Sequence, residues 1–206
     1  IPIMNNYEYL IASLPDITPE WKDTGEMSGD AFVDWLREGC SDSDRKLIDF
    51  LREGFAAENL NKDFYLRALS HRDRFRREYF RFDLNVRNAK VEYLNRELGR
   101  AAGTDIFLTD ENGFEEEARL GAVLGSGDIL SREKGIDDLM WEKIESLTTF
   151  DYFDIDAILG FIAKLNIAMR WNRLDPETGR EMFSRIVKEV RGSFTGVREA
   201  ADKAVS

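Results

Sequence analysis

Between Pro19 and Pro176 the chain runs for more than 150 residues without a proline. The strongest helix breaker is therefore missing from most of its length, and long helices are allowed throughout. Apolar spacing fills that allowance. Phe75, Tyr79, Phe82, Val86, Ala89 and Tyr93 step by four, three, four, three and four, which is one stripe of a long helix and is compatible with a continuous helix over 66–98. Ile155, Ile158, Ile162, Leu165 and Met169 follow the same rhythm, while Leu159, Phe161 and Ile167 lie off that stripe. Apolar on most sides, this second helix should be central and buried.

Local signals add boundaries. Ser28 is placed to cap a short helix carrying Phe32, Val33 and Leu36, with Gly39 placed to end it. Ser41 and Asp44 have capping-box spacing, with Asp in place of the usual Glu or Gln, ahead of the apolar face Leu47, Ile48, Leu51 and Phe55. Asp175 with Pro176 makes an N-cap followed by a first-turn proline; Met182, Phe183, Ile186, Val187 and Val190 form the face behind it, and Gly192 ends it. Six glycines (Gly99, Gly103, Gly113, Gly121, Gly125, Gly127) crowd into residues 99–127. That stretch reads as a connector with one short helix, Glu115 to Leu124, or with a small hairpin, since Asp105 to Thr109 is strand-like and Asn112-Gly113 is a turn pair. Tyr7 to Leu14 suits either a strand or a helix. The expected fold is all-α, with a helical lobe over 1–98, a Gly-rich connector over 99–127 and a second helical lobe over 128–206.

The chain has 206 residues, 43% of them hydrophobic and 33% charged, enough for one globular domain or two small lobes. One histidine, His71, cannot make a two-His metal site, and one cysteine, Cys40, cannot make an internal disulfide or a Cys-x-x-Cys pair. No metal or cofactor is expected. Gly121, Gly125 and Gly127 match neither a phosphate loop nor a dinucleotide fingerprint. Asp110, Asn112 and Glu115 to Glu117 do not follow calcium-loop spacing, nor do Asp151, Asp154 and Asp156. Asp154 reads as a helix N-cap, and the Glu run as charge complementing a helix N-terminus. His71, among arginines and with no nucleophile motif beside it, reads as a surface residue, and Cys40 as an inert thiol. No catalytic residue is expected. The longest apolar run, 157–163, falls far short of the roughly 20 residues a membrane-spanning helix needs. With no basic residue before Lys22 and no signal-like start, a cytoplasmic home is expected, with membrane association only peripheral and through a complex.

Net charge is −11, but unevenly spread: residues 67–100 carry 10 basic and 5 acidic groups, while the segments on either side are strongly acidic. On a continuous helix Arg67, Arg74, Arg77, Arg81 and Asn88 lie together, opposite the Phe75/Tyr79/Phe82 stripe. The plain alternative is a solvated face with intrahelical pairs such as Asp73 to Arg77. Arg74, Arg77 and Arg81 are the candidate partner-binding residues, and an acidic protein partner is favoured over nucleic acid because phosphate binding usually goes with a basic domain. A helical adaptor binding nucleic acid or an acidic signalling partner through the same strip is the competing class.

Three stretches carry a resemblance. Asn6-Tyr-Glu-Tyr-Leu-Ile-Ala-Ser-Leu-Pro15 resembles the start of an uncharacterised bacterial family whose members accompany V/A-type ATPase subunits. The stretch from Phe82 to Arg96 looks like that family's central helix, and its Asp83 and Asn88 are similar to the Asp/Asn-then-helix pattern of the ATPase C (or d) subunit. Phe153 to Leu159, through Arg170-Trp171, resembles the family's C-terminal core helix. The resemblance implies a mechanical role: an all-helical, non-catalytic accessory or C-subunit-like component of the central stalk, with rotor or stalk subunits as partners. The chain is much shorter than a typical C subunit, which has three helical lobes.

Overall fold

The computed structural model describes residues 7–18, 29–110 and 113–173. In chain order the helices are α1 (Glu8–Ala12), α2 (Gly29–Glu38), α3 (Asp42–Glu53), α4 (Lys62–Leu69), α5 (Arg74–Glu97), α6 (Glu117–Leu124), α7 (Ile129–Thr148) and α8 (Ile155–Arg173). A single 3-10 turn, Ala57–Asn59, precedes α4, and among the described residues there is no strand. The fold is all-α. It divides into two units, Ile1–Ala168 and Met169–Ser206. The division falls after Ala168 and not in the 99–127 connector. Of the second unit only Met169–Arg173, the last turn of α8, is among the described residues.

Short polar side chains set the helix starts by accepting the first free backbone N–H groups. Ser41 accepts from Asp44 N–H at 3.3 Å, Asn61 from Phe64 N–H at 3.0 Å, Asp73 from Arg76 N–H at 2.8 Å and Asp128 from Ser131 N–H at 2.9 Å. The expected box at Ser41 carries an insertion. Ser41 N–H donates to the Tyr7 hydroxyl at 3.0 Å, and that hydroxyl donates to the Asp44 carboxylate. Asp is one methylene shorter than the usual Glu, and the tyrosine hydroxyl bridges the difference. Of the two alternatives for Tyr7 to Leu14 the helix holds, over Glu8–Ala12, with α1 held against the start of α3.

The helix allowed over 66–98 is broken. Asp73 caps α5, and the four residues 70–73 turn the chain, so Arg67 lies on α4 and the other arginines on α5. Ser70-His-Arg-Asp73 contains neither Pro nor Gly, and the break is made by side-chain hydrogen bonds to the backbone, the Asp73 cap first. His71 Nδ1 helps by accepting Asp73 N–H at 3.1 Å. At its other end α5 closes as expected of a glycine stop. Gly99 takes φ +63°, Gly99 N–H bonds to Arg96 O at 3.2 Å and Arg100 N–H to Asn95 O at 2.8 Å, the two bonds of a Schellman motif. Gly39 differs. Its role is close approach, because a Cβ there would lie 2.7 Å from a Leu10 methyl.

The core of the first unit is built around α5, which packs against α4, α6 and α7. Packing on several sides explains why Phe80 and Leu84, off the expected stripe, are buried together with Phe75, Tyr79, Phe82 and Val86. Phe80 meets Phe64 and Phe50 edge-on at 4.9 and 5.6 Å, and those two rings stack at 4.6 Å. Gly54 is pressed against this cluster, with space for no side chain: a Cβ would lie 2.4 Å from the Phe80 ring. Helix α7 runs antiparallel to α5, Arg74 reaching Leu147 O and Lys90 reaching Glu133. Helix α8 buries Ile158, Leu159, Ile162, Leu165 and Ile167, as its all-round apolar sequence implies. It meets α7 where a Cβ on Gly160 would lie 2.5 Å from a Thr148 methyl.

The connector holds α6, close to the expected short helix, but no hairpin: Asp105 to Thr109 is irregular and lies against α5. Its backbone spends its hydrogen bonds on α5 side chains, so no second strand is required. The expected N-cap Ser28 and the helix expected from Asp175-Pro176 to Gly192 lie outside the described residues.

Candidate functional site

Arg74, Arg77 and Arg81 all lie on the first half of α5, and each engages its own chain. Arg74 donates to Leu147 O at the end of α7 and to Asp151 Oδ2 at 3.1 Å, with its side chain 53% exposed. Arg77 pairs with Glu78 at 3.0 Å and donates to His71 O at 3.2 Å and Arg72 O at 3.4 Å, tying α5 to the turn before it. Arg81 donates to Glu78 Oε2 at 2.7 Å, and its Nε lies 3.6 Å from Asp110 Oδ2. The expected Asp73 to Arg77 pair does not form, because Asp73 is committed to the N-cap. Arg67, on α4, pairs with Glu53 at 2.6 Å. It also lies over the Phe50 and Phe64 rings, and Arg76 lies over Phe50. Cations and rings thus share one edge of the aromatic cluster.

Between α5, the 113–116 segment ahead of α6, and α7 is a cleft of about 220 Å³, lined among others by Glu78, Arg81, Phe82, Asn85, Phe114 and Lys143. Phe82 and Phe114 meet edge-on at 5.5 Å, and Lys143 lies over Phe82 while donating to Glu116 at 3.1 Å. Each cation in the cleft already neighbours a carboxylate. Such a seam holds elements in register.

The second half of α5 carries a ladder that reading by apolar period does not reveal. Asn85, Asn88, Glu92 and Asn95 step by three, four and three. Asn85 donates to Asp110 Oδ2 at 3.3 Å, Asn88 to Leu108 O at 2.9 Å and Asn95 to Thr104 O at 2.8 Å, while Glu92 accepts Gly103 N–H at 2.6 Å. Asn88, grouped by spacing with the arginines, therefore holds the connector. Asp83 accepts from the Tyr65 hydroxyl at 2.6 Å, and Arg87 lies 4.1 Å above the Phe107 ring. Burial pushes the Asp83 carboxyl above the usual carboxylate range against the pull of Tyr65, Arg87 and Lys90. Burial and Asp83 together hold the Tyr65 phenol protonated. The signal for this ladder was available, since amides recurring at helical spacing mark a face just as apolar residues do.

His71 is held below its ordinary pKa by burial first and by Arg76 second. As an acceptor at Nδ1 it serves the α4–α5 turn in its neutral form. Burial pushes the Cys40 thiol up to about 11, far from the range of a nucleophile. Among the described residues no group of three or more His, Cys, Asp or Glu side chains is placed to hold a metal ion, and no helix is long and apolar enough to cross a membrane.

At the α7–α8 corner the balance of charge reverses. Asp151, Asp154 and Asp156 meet Asp73 from the start of α5, with Arg74 as the cation among them. Asp154 accepts Asp156 N–H at 3.0 Å, as an N-cap of α8 does. Burial, then Asp73, Asp154 and Asp151, push the Asp156 carboxyl up to about 7. The loop carrying these carboxylates holds three exposed rings: Phe150 (84%), Tyr152 (66%) and Phe153 (52%).

A family profile described as protein of unknown function (DUF2764) matches residues 112–193, a span that takes in α6, α7 and α8. Neither a curated protein nor a solved structure matches the chain. Over that span the chain is similar to an uncharacterised family, and it is the span that carries the acidic, aromatic corner.

Proposed function

We propose that this chain is a non-catalytic helical adaptor that acts by protein–protein contacts, as an accessory or C-subunit-like component of a V/A-type ATPase central stalk. The observation that carries the adaptor reading is the placement of exposed aliphatic side chains. Leu94 and Leu98 at the end of α5, and Ile129 and Leu130 at the start of α7, stand in solvent at the same end of the antiparallel pair, Ile129 at 77% and Leu98 at 68% exposure. Gathered apolar exposure of this kind marks interaction surfaces more often than solvated ones. The stalk assignment rests on the resemblance of the three sequence stretches. On this reading the protein works at the cytoplasmic side of a membrane complex, touching the bilayer only through its partners. Arg74, the most exposed of the three candidate arginines, sits among carboxylates of its own chain, and with Arg77 and Arg81 it holds in place the helix that presents the aliphatic end.

The test is co-expression with V/A-type rotor and stalk subunits and affinity recovery at low salt, where surface charge acts most strongly. Recovery with the wild type, reduced at least about tenfold by Leu98→Ser with Ile129→Ser and more modestly by Arg74→Glu, is the expected result; about tenfold corresponds to about 1.4 kcal/mol. No recovery of any subunit, or equal recovery with every variant, overturns the reading.

A further inference from the structure

The opposite end of the α5/α7 pair offers a second surface of different chemistry. A groove of about 390 Å³ runs between residues 14–17 and helices α7 and α8, with Leu14, Ile17, Ala157 and Phe161 as apolar lining and Asp16 and Asp151 at its polar positions. Lys164 also lines it, but is occupied by Glu145 at 3.1 Å and by the Trp141 ring at 5.0 Å. Beside the groove stands the 149–154 loop with its three exposed rings, tied to α1 by the Tyr7 N–H bond to Phe153 O at 2.7 Å. Sharing Asp151 with the groove is the carboxylate group Asp73, Asp151, Asp154 and Asp156, which among the described residues faces the guanidinium of Arg74.

From this geometry we infer that the groove and the aromatic loop form a docking surface for a basic amphipathic helix of a partner protein. The apolar lining takes the partner's aliphatic side chains, the exposed rings take Lys or Arg over their faces, and the excess carboxylates take the remaining cations. Charge complementarity commits the surface to that occupant. An anionic membrane would be repelled by the same four carboxylates, and an acidic segment still more so. Burial first, and then the neighbouring Asp73, Asp154 and Asp151, push the Asp156 carboxyl up, and a basic partner offsets the second of these causes. The inference rests on the adaptor reading only in taking the chain to work through protein contacts, and it concerns the end of the molecule remote from Leu98 and Ile129.

The experiment uses the full chain and a defined probe, a 15-residue helical peptide of Lys and Leu in amphipathic order, with its Glu/Leu counterpart and vesicles of anionic and of zwitterionic lipid as controls. Calorimetry and amide chemical shifts are the readouts. Binding of the Lys/Leu peptide, with shifts confined to residues 14–17 and 148–164, is expected. Asp154→Asn with Asp156→Asn should weaken it at least about fivefold while keeping the α8 cap, since Asn caps as well as Asp. Phe150→Ser with Tyr152→Ser should weaken it similarly. Equal binding of both peptides, binding of vesicles in place of peptide, or affinity unchanged in both double variants overturns the inference. Failure here with stalk subunits still recovered through the Leu98/Ile129 end leaves the adaptor reading standing; peptide binding without recovery of any subunit does the reverse.

Discussion

The two halves of α5 hold their neighbours by different means. From Arg74 to Leu84 the helix packs by rings: Phe75, Tyr79, Phe80 and Phe82 are buried, and Phe80 alone touches Phe50, Phe64 and Tyr79 within 5.6 Å. From Asn85 to Glu97 it holds the connector by amides and a carboxylate, each spent on a backbone group or side chain of residues 103–110. Ring packing is non-directional and removes large areas from water, so it tolerates small shifts and contributes most of the stability. The amide ladder is directional. It contributes less per contact but sets the path of a segment that has no regular structure of its own.

The largest losses are expected from the ring-packed first half. Phe80→Ala should cost about 3–5 kcal/mol in chemical denaturation, as expected for emptying a ring-sized space. A loss below about 1 kcal/mol would show that the ring cluster is not the centre of the core. Gly54→Ala comes next, at about 1–3 kcal/mol, because the new methyl has only the Phe80 and Phe64 rings to displace. In the second half Asn95→Ala should cost about 1–2 kcal/mol, by stranding Thr104 O beside an otherwise buried position. Its sharper signature is local. Hydrogen exchange should speed at residues 103–106 while the first half of α5 stays protected, and uniform acceleration along α5 would erase the distinction between the halves.

The smallest effect lies at the head of the ring-packed half. Asp156 titrates at about 7 in the fold against 3.8 for an ordinary carboxyl, so the fold disfavours its charge. The destabilisation is fully present above pH 7, fades as pH falls and is gone below about 4. Asp156→Asn should therefore stabilise the protein at pH 8 by about 1 kcal/mol once solvent screening is allowed for, or about 2–4 °C in Tm, and leave it unchanged at pH 4. An equal gain at both pH values would assign the effect to packing.

These contrasts also explain what the sequence made legible. The starts of α3, the Schellman end of α5, the buried length of α8 and the short α6 follow from caps, glycine and apolar period, all of which act within one or two turns. The break at residues 70–73 was hidden because the apolar rhythm of Phe75 to Tyr93 begins only after it, and a lone Asp before a run of arginines looks like an ion-pair partner when it is a cap. The cationic face dissolved for the same reason, Arg67 going to a separate helix and Asn88 to the connector. The partners of Arg74, Arg77 and Arg81 lie at distances along the chain from one to 77 residues, and no periodicity encodes the longer ones. The corner at Asp156 was visible as composition, but its crowding by Asp73 depends on how α5 and α8 meet.

The hydroxyl that Tyr7 inserts between Ser41 and Asp44 has a practical consequence for the neighbouring thiol. Cys40 is the chain's single cysteine, 3% exposed, and it directly precedes Ser41, whose N–H that same hydroxyl accepts. A sulfhydryl reagent therefore has one place to react, and the burial of that thiol makes the reaction wait on opening at the head of α3. The rate of that labelling clocks the opening of this junction, residue by residue variant, without any probe having to be introduced.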